Sequence, residues 1–196
     1  MICSLVLLSL TTMSWAAGDV RSQRAVEELA AYFRAMPEYT VTFTVAGADF
    51  GAAGSYAVEG DRYYMRVGAA EAYSDGTAKW EVDPAKREIV IDAVDVSSRN
   101  LLGNPTRAFD FLGDAFRGEL QSERDGVRRL RLVPTDRGAA MSAVTVDVAA
   151  DGAPRALSYD FDGDTVRIEI GRIVPSADVK RFDAGAYPGY EVIDFR

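Results

Sequence analysis

Acid–base chemistry in this chain would have to rest on carboxylates, because its 196 residues include no histidine and only one cysteine, Cys3. Histidine is the commonest general base and the commonest zinc ligand, so its absence argues against both kinds of site. Paired carboxylates can serve as acid and base. The acidic residues here fall mostly in turns or at polar positions of strands, where solvation is their ordinary role. The sequence therefore predicts no enzyme and no cofactor.

A calcium loop is suggested by Asp160, Asp162 and Asp164, which are spaced like the first ligands of such a loop. The sixth and twelfth positions are Thr165 and Gly171, where an EF-hand requires Gly and Glu. We therefore expect a hairpin turn here and no metal site.

A basic cluster is formed by Arg128, Arg129 and Arg131, which alternate with Leu130 and Leu132. Alternation of this kind is typical of the polar face of a strand, and a docking patch is the alternative. The net charge of −8 is spread along the chain, which argues against a nucleic-acid partner.

Aromatic side chains are frequent in the first half of the chain, and they could line an apolar ligand cavity or fill an ordinary core. Aromatic and Met side chains give much contact area with few rotatable bonds, which suits either role. The set is Phe43, Phe50, Tyr56, Tyr63, Tyr64, Tyr73, Trp80, Phe109, Phe111 and Phe116.

The first 17 residues predict a secretory signal peptide, followed by one domain over residues 18–196. They carry no charge, include the apolar run from Leu5 to Leu10, and end in small residues near Ala17. The segment is too short for a transmembrane helix. Because Cys3 lies inside it, the mature chain would have no thiol.

The residues that follow the predicted signal peptide have the apolar spacing of a helix. Asp19 can cap a helix that runs to about Met36 and ends at Pro37. Its apolar residues share one face, and these are Val26, Leu29, Phe33 and Met36. Strand-like alternation then predicts an antiparallel meander in which one sheet face is buried. The alternating apolar positions begin with Val41, Phe43, Val45, Tyr56, Val58, Tyr63, Met65 and Val67, and continue to Ile170.

Turn residues punctuate this meander. Asp75-Gly76 predicts a two-residue type I′ hairpin, and Pro84 stops the strand that carries Trp80. Further Asp-Gly pairs lie at residues 125–126, 151–152 and 162–163. Asn104-Pro105 predicts a short helix from Pro105 to Leu112. The fold class is therefore α+β and mostly antiparallel β, with about ten to eleven strands that curl because of their twist.

The motifs, taken in order, resemble the periplasmic lipoprotein carriers, LolA and its relatives. They are Ser74-Asp75-Gly76, Trp80, Asp83-Pro84, the Asn104-Pro105 helix, and the ending from Tyr187 to Arg196. That ending is most similar to the LolA-like proteins of Bacteroidetes. The resemblance covers nearly all of the chain from Asp19 onward.

This resemblance implies a half-open β-barrel whose concave, apolar face is covered by an N-terminal helix and a short mid-chain helix. It implies a monomeric periplasmic chaperone that shields lipoprotein acyl chains on their way to the outer membrane. Partners would be an inner-membrane release complex and an outer-membrane acceptor. The expected cavity residues are Val41, Phe43, Tyr56, Val58, Tyr63, Met65, Trp80, Ile89, Ile91, Phe109 and Leu112.

One motif departs from the family. Proteobacterial carriers have an Arg-Pro pair on an early strand, whereas the stretch from Tyr56 to Arg62 contains none, so that lid-opening role is not assigned here. Two alternatives to carriage stay open at this point. One is a related protein that binds another lipid or apolar ligand, and the other is a structural or interaction domain with a filled core.

Overall fold

The computed structural model describes residues 13–47, 50–111, 115–161 and 164–196, with side chains from residue 20 onward. One long helix, α1, spans Met13–Arg34. No helix in the described part of the chain combines the length and apolar character needed to cross a bilayer. Twelve strands follow: β1 Glu38–Ala46, β2 Gly51–Glu59, β3 Arg62–Val67, β4 Ala70–Ser74, β5 Ala78–Asp83, β6 Glu88–Ala93, β7 Phe116–Arg124, β8 Val127–Pro134, β9 Ala143–Ala149, β10 Pro154–Phe161, β11 Asp164–Val174 and β12 Glu191–Asp194.

All twelve strands form one open sheet in the order β12-β6-β5-β4-β3-β2-β1-β11-β10-β9-β8-β7. Two antiparallel meanders, β1 to β6 and β7 to β11, are joined where β1 pairs with β11. The sheet does not close, because β12 and β7 stand at its two ends. Strand β12 pairs in parallel with β6. The predicted helix-plus-antiparallel-sheet class is confirmed, with twelve strands rather than ten or eleven.

Side chains alternate between the two faces of the sheet along each strand. One face, here called the inner face, packs together with α1 in a single core. Tyr56 pairs with Met65 across β2 and β3, and Val41 with Tyr56 across β1 and β2, so these three share that face. They belong to one core with Leu29 and Phe33 of α1.

The opposite, outer face is apolar only between β3 and β6. Tyr64 pairs with Tyr73, and Tyr73 with Trp80, which places all three on the outer face. The β11–β12 connection, residues 175–190, packs against them through Val179, Phe182, Tyr187 and Tyr190. The described residues therefore form two cores, one on each side of the sheet.

Helix α1 differs from its predicted bounds. Asp19 lies inside it rather than at its N-cap, and the helix ends at Arg34 rather than near Met36. Its buried face carries Ala25 and Leu29, both with no exposed surface.

The predicted mid-chain helix is mostly irregular. Only Pro105–Arg107 forms a 3-10 helix, which Asn104 caps by accepting a hydrogen bond from the Thr106 amide. Residues 94–111, here called the strap, cross the inner face. Outside this 3-10 helix the strap has no regular secondary structure. Phe109 and Phe111 are both buried. An α-helix turns about 100° per residue and would point these two rings in nearly opposite directions, so an irregular strap buries them better.

The Asp-Gly turns also differ in detail. At Asp125-Gly126 both residues have positive φ, 52° and 73°, as a type I′ turn requires. At residues 75–77 only Gly76 does, and Asp75 instead accepts hydrogen bonds from the Thr77 and Ala78 amides at 2.8 and 2.9 Å. That hairpin has a three-residue loop, so the predicted type I′ geometry is wrong there. The pair at 162–163 lies outside the described residues.

Candidate functional site

A groove of about 310 Å³ opens where the end of α1, the strap, the start of β1 and the end of β2 meet. Most of its lining is apolar, and its size is at the lower end of the range for small-molecule sites, roughly 300–1,000 Å³. The lining residues are Ala30, Phe33, Arg34, Met36, Pro37, Tyr39, Val58, Gly60, Thr106, Arg107, Phe109 and Asp110.

Two stacked rings join the groove's walls. Phe33 of α1 and Phe109 of the strap lie with centroids 4.2 Å apart and planes 3° from parallel. Tyr39 of β1 packs beneath, 5.1 Å from the Phe33 ring. A ring pair of this kind contributes about 0.5–1.5 kcal/mol beyond the area it buries. The stack is thus a direct contact between the helix and the strap.

The mouth of the groove carries charge. Arg107 forms an ion pair with Asp110 at 2.8 Å. The same Asp110 carboxylate lies 3.6 Å from the Arg99 guanidinium. Arg34 is exposed and donates from Nε to the Ala30 carbonyl at 3.4 Å. No carboxylate among the described residues pairs with Arg34. Its positive charge therefore remains available at the mouth.

Hydrogen bonds from the sheet fasten the strap. The Tyr159 hydroxyl accepts from the Leu101 amide at 3.0 Å and donates to the Arg99 carbonyl at 3.3 Å. The Asn104 amide nitrogen donates to the Asp95 carbonyl at 3.0 Å. Leu101 has no exposed surface, so the middle of the strap is a buried part of the core.

The inner-face residues predicted to line a cavity are packed rather than exposed to a hollow. Val58 and Phe109 reach the groove. Four others are packed in the inner core with at most 2% of their surface exposed, and these are Val41, Phe43, Tyr56 and Tyr63. An apolar chain could reach them only after α1 or the strap moved.

Three predicted residues lie on the wrong face. Trp80 pairs with Ile91, and Val82 with Ile89, which places Trp80, Ile89 and Ile91 on the outer face opposite Tyr63 and Met65. The Trp80 ring stacks on Phe182 of the β11–β12 connection, 5.3 Å away. The prediction that these three share a surface with Met65 is therefore wrong. Leu112 lies outside the described residues.

A second hollow, about 240 Å³, lies over β3 to β6 beyond the groove. Met65, Val67, Ala72 and Val90 contribute apolar lining, and Glu81, Asp83, Lys86 and Glu88 contribute charge. Met65 is the one predicted cavity residue that reaches it. Among the described residues, no three Asp, Glu or Cys side chains are grouped so as to hold a metal ion.

The groove also includes residues that were not predicted as cavity lining. Phe33 and Met36 were assigned to the apolar face of the helix alone, and Tyr39 was omitted. Tyr39 continues the alternation of Val41 and Phe43 by one step, so parity alone could have identified it. Burial raises the pKa of Tyr39 well above its usual value, so its hydroxyl stays protonated.

On the outer face, Glu71 collects hydroxyl groups beneath the β11–β12 connection. Tyr64 donates to one carboxylate oxygen and Tyr187 to the other, the latter at 2.7 Å. The Tyr73 and Tyr187 hydroxyls lie 2.7 Å apart. Lys180 lies 4.6 Å from the centre of the Tyr64 ring.

The arginine cluster is divided between the faces. Arg129 forms a two-pronged ion pair with Asp147, with bonds of 2.7 and 2.8 Å, on the outer side. Arg128 instead pairs with Glu28 of α1 and helps to hold the helix on the sheet. The predicted polar strand face therefore holds for Arg129, whereas Arg128 contacts the helix.

The sequence is similar to that of one curated protein over about half of its length. No family model matches the sequence. Over 108 residues it is 29% identical to the outer-membrane lipoprotein carrier protein of Bordetella bronchiseptica (strain ATCC BAA-588 / NCTC 13252 / RB50). That match takes in 53% of this chain and 50% of the relative, so the chain spans about half the length of the curated relative it matches. The chain is thus similar in sequence to a lipoprotein carrier over about half of its length.

Solved structures share the fold of this chain at low identity. An uncharacterized conserved protein from Thermus thermophilus aligns with a TM-score of 0.54 at 8% identity, covering 89% of this chain and 99% of that one. MucB aligns with a TM-score of 0.52 at 15% identity, covering 88% of this chain and 64% of MucB. These two likenesses concern the fold alone.

Proposed function

We propose that this protein binds acyl chains and carries lipoproteins across the periplasm, shielding their lipid from water. The observation that carries the proposal is the apolar groove between α1 and the strap, which leads to a mostly apolar inner core. The lipoprotein carrier from Bordetella bronchiseptica supports the same role by its sequence similarity.

The energetics suit a carrier. Each methylene exposed to water costs about 0.8 kcal/mol, so a palmitoyl chain costs on the order of 10 kcal/mol. The inner face can offset much of that when α1 and the strap separate. Breaking the Phe33–Phe109 stack consumes part of the binding free energy, which limits affinity and permits release.

The first test is saturable binding of a fluorescent fatty-acid probe by the purified protein. We expect one site, with loss of probe when an unlabelled long-chain fatty acid is added. Purification from the native host should also yield co-purifying acyl lipid or lipoprotein, detected by mass spectrometry. Absence of both signals, under conditions that preserve them on an established carrier, would contradict the proposal.

A filled interaction domain is the second candidate, and a specific observation favours it. Val41 has no exposed surface and Phe43 and Tyr56 have 2% and 1%, so the inner face is fully packed in this conformation. The probe experiment separates the two candidates, because a permanently packed domain would not bind the probe in a saturable way.

A further inference from the structure

Tyr56 carries the one buried side-chain nitrogen or oxygen that lacks a hydrogen-bond partner among the described residues. Its side chain is 1% exposed and lies in the inner core. Buried hydroxyls are almost always paired, since leaving one unpaired destabilises the fold. This exception therefore calls for a physical reason.

The position of Tyr56 gives one. Tyr39 and Val58 face each other across β1 and β2 and line the groove. The next pair inward on the same face is Val41 and Tyr56. Two residues along a strand span about 7 Å, so Tyr56 is the first residue of β2 that a chain entering the groove would reach beyond Val58.

A second tyrosine of the inner core, Tyr159, differs from Tyr56 in having hydrogen-bond partners for its hydroxyl. Tyr159 lies in the same core with 1% exposure, but its hydroxyl bonds to the strap at Leu101 and Arg99. The Tyr56 ring lies 6.1 Å from the Tyr39 ring, yet its hydroxyl has no hydrogen-bond partner. Burial keeps it protonated, so it can donate a hydrogen bond to any acceptor that enters.

We infer that the Tyr56 hydroxyl anchors the carbonyl oxygen of an acyl ligand. This inference rests on the proposed function and specifies its ligand: an ester, amide or acid rather than a plain hydrocarbon chain. In an acyl lipid the carbonyl lies next to the polar headgroup. With the headgroup at the mouth of the groove, the carbonyl would lie a short distance inside it. The unpaired hydroxyl of the closed form is then paired in the loaded form.

The test uses two lysophosphatidylcholines that differ only in the carbonyl, 1-palmitoyl and 1-O-hexadecyl. Each lipid is added, below its critical micelle concentration, to the full chain loaded with a fluorescent fatty-acid probe, and displacement of the probe is measured. We expect the native protein to prefer the ester by about 2- to 10-fold. Tyr56→Phe should remove that preference and leave the affinity for the ether unchanged. Tyr73→Phe, on the outer face, is the control and should retain the preference.

Thermal unfolding without ligand provides an independent readout. Tyr56→Phe should raise the unfolding temperature by about 2–4 °C, because it removes an unpaired buried hydroxyl. Tyr159→Phe should lower it, because it leaves the Leu101 amide without its acceptor.

The possible outcomes separate the two proposals. If neither lipid binds the native protein, the proposed function and the anchor are both overturned. If both lipids bind with equal affinity, or if the ester preference survives in Tyr56→Phe, only the anchor is overturned. Loss of the preference in Tyr56→Phe, together with its retention in Tyr73→Phe, supports the anchor.

Discussion

At the scale of single residues, Glu71 makes the attachment of the β11–β12 connection sensitive to pH. Partial burial raises the pKa of Glu71, but hydrogen bonds from Tyr64 and Tyr187 and the charge of Lys180 outweigh it. The net result is a pKa below the usual value. Only the ionised carboxylate can accept from both Tyr64 and Tyr187 in this arrangement.

Glu71→Gln should therefore lower the unfolding temperature by a few degrees at pH 7, and the difference should disappear on acidification. A carboxyl whose pKa is depressed on folding stabilises the protein above its unfolded pKa, about 4.5, and loses that contribution as pH falls through the folded value. Calorimetry at pH 7, 5 and 3 measures this directly.

The matched control is Glu59→Gln, which removes an exposed ion pair with Arg62. Exposed pairs contribute about 0–1 kcal/mol, so we expect little change at any pH. A difference for Glu71→Gln that persisted undiminished at pH 3 would show that its carboxylate charge does not hold the connection.

At the scale of elements, we expect the Phe33–Phe109 stack to resist separation of α1 and the strap. Phe109→Ala should destabilise the protein by about 3–5 kcal/mol, because a buried ring leaves a cavity. It should also speed the association of a fatty-acid probe, since one contact that closes the groove is lost. Stopped-flow fluorescence and chemical denaturation measure the two effects.

Phe182→Ala is the control for this change, because Phe182 makes the equivalent stack with Trp80 on the outer face. It should lower stability without altering the rate of probe association. Equal acceleration in both variants would mean that general loosening, rather than opening at the groove, limits entry.

Element boundaries show what the sequence could and could not predict. Strands β1 to β3 were predictable in parity, because Val41 and Phe43 alternate with threonines. The strap was not, because Asn104-Pro105 marks a helix start without saying how far the helix continues. The burial of both Phe109 and Phe111 depends on the sheet beneath, which no local pattern encodes.

At the scale of the whole molecule, the two separate cores make Trp80 a reporter for one side of the sheet only. Because Trp15 lies in the predicted signal peptide, Trp80 is the sole tryptophan of the expected mature chain. We expect its emission to stay constant while acyl probe fills the groove, and to change when acid loosens the β11–β12 connection. Fluorescence titration tests both, and a large ligand-induced shift would place the ligand near the outer face.

Trp80 also shows why the face of β5 could not be predicted. Its strand alternates clearly, but which side points inward depends on the turn lengths between β3, β4 and β5. The outer face is apolar here because residues from Val179 to Tyr190 cover it. An apolar stripe in a strand therefore does not tell a shared inner core from a second core on the other side.

The pairing of β1 with β11 has a consequence for how the chain is made. Thr40 pairs with Val174, so the first strand waits for its second neighbour until most of the chain has been synthesised. Pairings between such distant residues form slowly. Meanwhile the run from Thr40 to Ala46, uncharged and rich in β-branched residues, presents an open edge of the kind that aggregates. The hazard during biogenesis is therefore concentrated in the strand that later forms the centre of the sheet.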